Sequence, residues 1–289
     1  RICKVFWKRE SGRFPAVVRS LSRVVAKLDG YIHIKAMNKR SEPSIFEVLS
    51  TKMVTPNMRR VTIGGQGLAT FPHGQDGGYV KLMLPGQSTA NKPLVRTYTI
   101  RRQSADALDI DFALHGDEGS GGPAVSWAQE ANPGEEIRVG GPGPAKPLSP
   151  DADWYFVLGD MTALPAIAVN LATLPDDAIG DVLIEVQTQD DKQDLQRPEG
   201  VALHWLINPE PGLKPELFEQ AARAIPWRQG RVYAWSATEF EVMRRMRSYL
   251  RGERGLGADQ LYISSYWKQG LVEDQHRVVK RADAEQSRA

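Results

Sequence analysis

The sequence predicts two domains of different architecture, an antiparallel β-barrel followed by an α/β unit with a mostly parallel sheet. Three observations predict it. Short β-rich runs separated by turn residues fill the chain from about residue 44 to 139, with hardly any helix. Glycine and proline then thicken from Gly140 to Pro150. Beyond that point strand-like runs alternate with helical ones. At 289 residues, 41% hydrophobic and 25% charged, the chain is long enough for two cores of ordinary size.

In the first region residues 45–63 read as strand, turn and strand, with the turn at Thr55-Pro56-Asn57 and the next at Gly64-Gly65. Residues 79–84 form a strand ending at Pro85-Gly86. Arg96-Thr97-Tyr98-Thr99-Ile100-Arg101 follows as a strand whose side chains alternate: Arg96, Tyr98 and Ile100 share one face, and Thr97, Thr99 and Arg101 the other. Further strands fall at residues 107–114 and 136–139. These belong to a barrel domain over residues 41–148.

The α/β domain is assigned to residues 149–271. Trp154-Tyr155-Phe156-Val157-Leu158 is a continuous apolar run, as a strand buried on both faces requires. Strands near 182–186, 201–206, 232–235 and 261–263 alternate with helices at 163–174, 215–224 and 238–251. Residues 272–289 are polar and are expected to pack loosely as a tail.

Charge and composition exclude several classes. Residues 1–40 carry eleven Lys/Arg against two Asp/Glu, leaving 26 against 33 in residues 41–289. The basic leader lacks the apolar core of a secretory signal and is read as an extension outside the fold, with Met37 a candidate start. Neither nucleic-acid binding nor membrane insertion is expected, since no apolar run approaches the ~20 residues of a spanning helix. Cys3 is the only cysteine, which excludes intramolecular disulfides, cysteine-ligated iron–sulfur clusters and ordinary structural zinc. A reducing cytoplasm suits that pattern.

The chemistry concentrates at Arg96. A guanidinium clamps phosphate oxygens with paired hydrogen bonds, and a tyrosine two residues on offers a flat face to an aromatic ring. Thr99 adds a hydroxyl. These parts fit a nucleotide-like ligand with an aromatic head. Asp111-Phe112-Ala113-Leu114-His115-Gly116 leads into Gly119-Ser120-Gly121-Gly122-Pro123-Ala124 and a short helical run. Gly119-x-Gly121-x-x-Ala124 mimics a dinucleotide fingerprint, but Pro133-Gly134 breaks the helix after barely two turns, so the loop is read as a phosphate-binding loop of another kind, with a flexible Gly-rich hairpin as the alternative. His115 is read as a ligand contact or a structural hydrogen-bonding group, since no partner stands in metal-ligand spacing. At Gly159-Asp160-Met161-Thr162-Ala163-Leu164-Pro165, Thr162 is expected to cap a helix with Pro165 in its first turn.

Arg96-x-Tyr98-Thr99 resembles the flavin-binding motif of ferredoxin-reductase-like flavoproteins. Further matches narrow the resemblance to the siderophore-interacting protein family, the flavin-dependent ferric-siderophore reductases. They are Tyr79-Val80-Lys81-Leu82, residues 111–116, Gly122-Pro123-Ala124, Gly159 to Ala166, Trp235-Ser236-Ala237-Thr238-Glu239 and Tyr266-Trp267-Lys268-Gln269-Gly270, in the family's order over about residues 44–270. The chain departs from the family pattern at Glu118 to Gly121, which looks like an insertion. It departs again at Val125-Ser126 in place of Ser/Thr-Arg, and at Met161 in place of Glu.

The resemblance implies a ferredoxin-reductase-like fold, FAD as cofactor and reduction of Fe(III)-siderophore to release Fe(II). Electrons would come from NADH, NADPH or a ferredoxin-type carrier. It implies Arg96 on phosphate, Tyr98 stacked on the isoalloxazine and Thr99 near its redox edge. Thr97, Asp111, Phe112, His115, Gly116, Gly122, Pro123, Ala124 and Thr162 would complete the cofactor site. Lys268, and after it Arg245, would meet the substrate, and no protein group beyond the flavin would be catalytic. The alternatives are a flavin reductase of the same fold with another acceptor, and a non-catalytic siderophore carrier.

Overall fold

The computed structural model of the protein describes residues 42–87, 93–115 and 122–286. The basic leader and the loop from Gly116 to Gly121 therefore lie outside the described residues, and from Pro43 onward the chain is one structural unit.

Six antiparallel strands close into a barrel: β1 (Ser44–Thr55), β2 (Met58–Gly64), β3 (Tyr79–Gln87), β4 (Pro93–Gln103), β5 (Ala107–Ala113) and β6 (Glu136–Gly143). Their order round the barrel is β1-β2-β5-β4-β3-β6. Alternation decides what faces in. Phe46 and Val48 of β1 are buried, while Glu47 between them and Ile45 and Leu49 on either side are exposed. On β4, Tyr98 and Ile100 both pack into the barrel core. β3 does not stop at Pro85-Gly86 as expected; it continues to Gln87 through a register shift after Leu84, a bulge that absorbs the turn residues. Helix α1 (Pro123–Glu130) plugs the barrel through Ala124, Val125 and Ala128.

After an irregular stretch the parallel sheet begins with β7 (Trp154–Gly159), every residue of which is buried. It pairs with β8 (Gly180–Val186) on one side and β10 (Val232–Glu239) on the other; β9 (Val201–Ile207) and β11 (Leu261–Trp267) form the edges. Helix α2 (Leu164–Ala172) covers one face over Tyr155 and Val157. Helices α3 (Pro215–Ala224) and α4 (Phe240–Arg247) cover the other over Trp154, Phe156 and Leu158. Gly159 lets α2 approach, because a Cβ there would meet Ile167 and Ala163. β11 runs four residues beyond the expected 261–263 and carries Trp267 to the carboxyl edge of the sheet.

Two expectations are corrected. Residues expected as a loose tail form α5 (Glu273–Gln286), a 14-residue helix. It docks by polar contacts: His276 is 4% exposed with Nε2 2.8 Å from Ser265 Oγ, Lys280 donates to Ser264 Oγ and the Ser265 carbonyl, and Asp283 accepts both ends of the Arg247 guanidinium. Burial, with Lys280 and Lys268 nearby, pushes the His276 imidazole down to about 4, so it stays neutral at this contact. Thr162 does not cap α2. The N-cap position is Ala163, without a side-chain bond, because the buried Asp160 carboxylate claims both the Thr162 amide and hydroxyl.

The barrel and the sheet share a core in which Met58, Val54 and Ala113 meet α2. Beside it Asp191, fully buried, accepts from Thr55 Oγ1, Asn57 N and Asn57 Nδ2, all at 2.8 Å, and from Thr188 N and Oγ1. The β1–β2 turn is thereby tied to the loop after β8.

Candidate functional site

Where the barrel meets the carboxyl ends of the parallel strands, a largely apolar cleft of about 340 Å³ opens to solvent. The barrel supplies Ala113, Leu114 and His115; the sheet supplies Asp160 to Thr162, Glu185 to Gln187 and Trp267. Open parallel sheets place ligands at this edge where the strand order reverses, and here the chain builds β8 and β9 on one side of β7 and then crosses to place β10 and β11 on the other. Trp267 lies parallel to His115, ring centroids 6.1 Å apart, so the two domains touch across the cleft through stacked rings. The indole Nε1 donates to Asp160 Oδ2 at 2.8 Å. Desolvation lowers the pKa of His115 although its edge is exposed, which favours the neutral ring.

Buried carboxylates form the floor. Burial pushes the Asp160 carboxyl up, against the hydrogen bonds from Thr162 and Trp267. Burial, then the neighbouring Asp160, pushes Glu185 up to about 7, while Asn208 donates to it at 3.2 Å. Glu239 caps α4 through the amides of Glu241 and Val242 and also accepts from Gln269 N. The folded chain thus retains a proton on Glu185 that the unfolded chain releases between about pH 4.5 and 7. Stability therefore falls as pH rises through that window, by up to about 3 kcal/mol. Glu185→Gln should raise stability in urea unfolding at pH 8 and change it little at pH 4.5. An equal effect at both pH values would mean that Glu185 is ionised throughout.

The flavin-motif strand presents a second set of groups. Arg96 Nη1 donates to the Val95 carbonyl at 2.9 Å, and among the described residues no carboxylate lies within ion-pair distance of its guanidinium. Tyr98 stands 4.2 Å from Phe112, and Phe112 5.6 Å from Trp127 of α1; Phe112, expected at the cofactor, is fully buried in the barrel core behind the two partly exposed rings of this aromatic wall. Burial raises the Tyr98 phenol, with the Glu273 carboxylate adding to the rise. α1 begins at Pro123 behind Gly122, whose φ of 81° no other residue adopts readily and whose Cβ position meets nothing within 4 Å among the described residues. A free guanidinium, an aromatic wall and a helix start open to space fit the phosphates and ring system of a flavin dinucleotide.

The other expected residues divide. Thr97 is exposed and bound by Glu273 of α5, through its amide at 3.1 Å and its hydroxyl at 3.0 Å. Thr99 is half-buried. Asp111 is closed by Arg60, Nε at 2.6 Å and Nη2 at 2.8 Å, and serves the barrel wall. His115 and Thr162 line the cleft, Ala124 is buried in the barrel plug, and Gly116 lies outside the described residues. Lys268 follows Trp267, yet its ammonium turns to Glu241 at 2.7 Å and over the Phe240 ring. Arg245 pairs with Glu219 of α3, on the sheet face opposite α2. Asp160, Glu185 and Trp267 went unassigned in the sequence, although Asp160 and Trp267 sit inside its motifs; the strand ends converging on the cleft were the missing signal.

Comparison with known proteins agrees with this geometry. Residues 47–91 and 86–146 match the siderophore-interacting FAD-binding domain, and residues 152–270 match siderophore-interacting protein. Ferric vibriobactin reductase ViuB of Vibrio cholerae is 33% identical over 256 residues, covering 82% of this chain and 93% of that protein. The chain belongs to the siderophore-interacting protein family. The family's solved structures superpose well. The siderophore-interacting protein SipS from Aeromonas hydrophila gives a TM-score of 0.73 at 35% identity over 84% of this chain and 98% of its own. A siderophore utilization protein from T. fusca gives 0.70 at 30%, over 80% and 94%. The two family models divide at the stretch between β6 and β7, so the aromatic wall and the barrel side of the cleft fall in the first and the sheet side of the cleft in the second.

No helix among the described residues is long and apolar enough to cross a membrane.

Proposed function

We propose that the chain is an FAD-dependent reductase of ferric siderophores, acting with electrons from NADH or NADPH. The observation that carries it is the uncommitted Arg96 guanidinium beside the Tyr98–Phe112–Trp127 wall, within a family whose barrel is a flavin domain. FAD supplies the electron chemistry when bound, taking two electrons from a nicotinamide nucleotide and passing them singly to chelated Fe(III).

The protein binds and orients. Arg96 clamps phosphate, Tyr98 stacks, Thr99 presents a hydroxyl, and the start of α1 at Gly122-Pro123 favours the pyrophosphate. Trp267, held by Asp160 and stacked on His115, gives the cleft a fixed apolar wall. Lys268, beside that wall, is the proposed cation for anionic chelates and must leave Glu241 to meet them. A ferredoxin-type donor is a second source of electrons for the same site.

The test is anaerobic. Photoreduced protein mixed with an anionic and a neutral ferric chelate should reoxidise and yield trapped Fe(II) stoichiometrically. Protein that passes electrons to quinones or oxygen but leaves every ferric chelate intact would be a flavin reductase with another acceptor.

A further inference from the structure

The two arginines side by side on β2 have different fates. Arg60 is closed into Asp111. Arg59 stands opposite Phe112 of β5 and Met53 of β1. Its Nη2 donates to Thr51 Oγ1 at 2.8 Å, its Nη1 meets only the sulfur of Met53 at 3.9 Å, and its Nε–H is buried without an acceptor. Among the described residues no carboxylate lies within ion-pair distance of it. A half-buried guanidinium with one good acceptor, the Thr51 hydroxyl, and otherwise only a distant thioether gains strongly from an incoming anion.

Arg59 lines a surface groove, open to solvent, between the β1–β2 turn and Ser126 in the opening turns of α1. Glu130, the carboxylate of this lining, is exposed and forms no ion pair with Arg59. The groove joins the cleft at Leu114, which lines both. Arg59, Phe112 and Tyr98 also form one row across the adjacent strands β2, β5 and β4, with Phe112 opposite Arg59 and its ring against Tyr98. At ~4.8 Å per strand, Arg59 springs about 10 Å from the strand carrying Tyr98, within the span of an extended dinucleotide.

We propose that Arg59 is a second phosphate ligand of the FAD site, holding the adenylate phosphate in the groove while Arg96 holds the riboflavin side. This rests on the cofactor reading above. A phosphate oxygen would give Nη1 a stronger acceptor than the Met53 sulfur.

Riboflavin, FMN and FAD titrated into wild-type apo-protein, Arg59→Gln and the double variant Arg59→Gln/Ser126→Arg, followed by flavin fluorescence, test this. Arg59→Gln should weaken FAD about tenfold or more and leave riboflavin and FMN within about twofold. Ser126→Arg, returning a guanidinium to the same groove, should recover much of the loss. Apo Arg59→Gln should unfold in urea at no lower concentration than wild type, since the buried Nε donor is gone. Unchanged FAD affinity overturns the inference, as does an equal loss for riboflavin, which would place Arg59 in the aromatic wall. Wild-type protein that binds none of the three flavins overturns the cofactor reading and this inference together.

Discussion

Replacing Asp191 by alanine is expected to destabilise the protein by about 3 kcal/mol or more, and replacement by asparagine should not rescue it. The carboxylate accepts on both oxygens: Thr55 Oγ1 and Asn57 N on Oδ1, and Asn57 Nδ2, Thr188 N and Thr188 Oγ1 on Oδ2. Alanine leaves partly buried donors without an acceptor, at about 1–3 kcal/mol each where water cannot reach. Asparagine must turn its NH2 toward one set of donors whichever way it is flipped. Burial alone would raise this carboxyl, but the bonds from Asn57, Thr188 and Thr55 hold it below the ordinary value of 3.8. Its contribution is therefore fully present above about pH 4 and is lost as pH falls through the lower folded value. Urea unfolding at pH 7 measures the effect. An asparagine variant within about 0.5 kcal/mol of wild type would show that water serves these donors instead.

Arg96→Ala should act on the cofactor and spare the fold. Loss of two charge-assisted hydrogen bonds to phosphate removes about 3 kcal/mol of binding, so FAD affinity should fall about 100-fold or more. Arg96→Lys should fall between, because an ammonium keeps the charge and loses the planar fork. The apo-protein should unfold at nearly the wild-type urea concentration, because among the described residues the guanidinium makes one hydrogen bond, to the Val95 carbonyl, and no ion pair. Flavin titration and urea unfolding of the same apo-protein separate the two roles. A variant that loses stability and keeps FAD would place Arg96 in the barrel wall.

Local features of the chain were legible. The barrel strands, the parallel strands that follow and the helix over residues 215–224 follow from alternation, turn residues and helical spacing, which neighbours along the chain encode. The motif strand also read correctly as alternating, with Tyr98 and Ile100 directed to the core. Contacts between distant residues were not legible. Asp191 sits in an acidic loop that looks solvated, and its partners lie 134 and 136 residues away. Thr162 read as a cap because nothing local announces that Asp160 is buried. Arg59 and Arg60 look alike in sequence; only the strand register gives one an acid and the other a groove. Helix α5 escaped because its docking is by hydrogen bonds and ion pairs, and a polar segment offers no hydrophobic period to find.

The bond from Glu273 to Thr97 joins residues 176 apart. At ~5–20 residues per second of synthesis, the strand carrying the flavin motif waits roughly ten to thirty seconds on the ribosome before its partner in α5 exists. The barrel can close in that interval, since all six of its strands and its plug precede residue 144. Its mouth is then fastened from outside, by a helix seated on the other domain. Translation thus orders the assembly: first a pocket wall, later the brace across it, with an interval in which a large dinucleotide can enter an unbraced mouth.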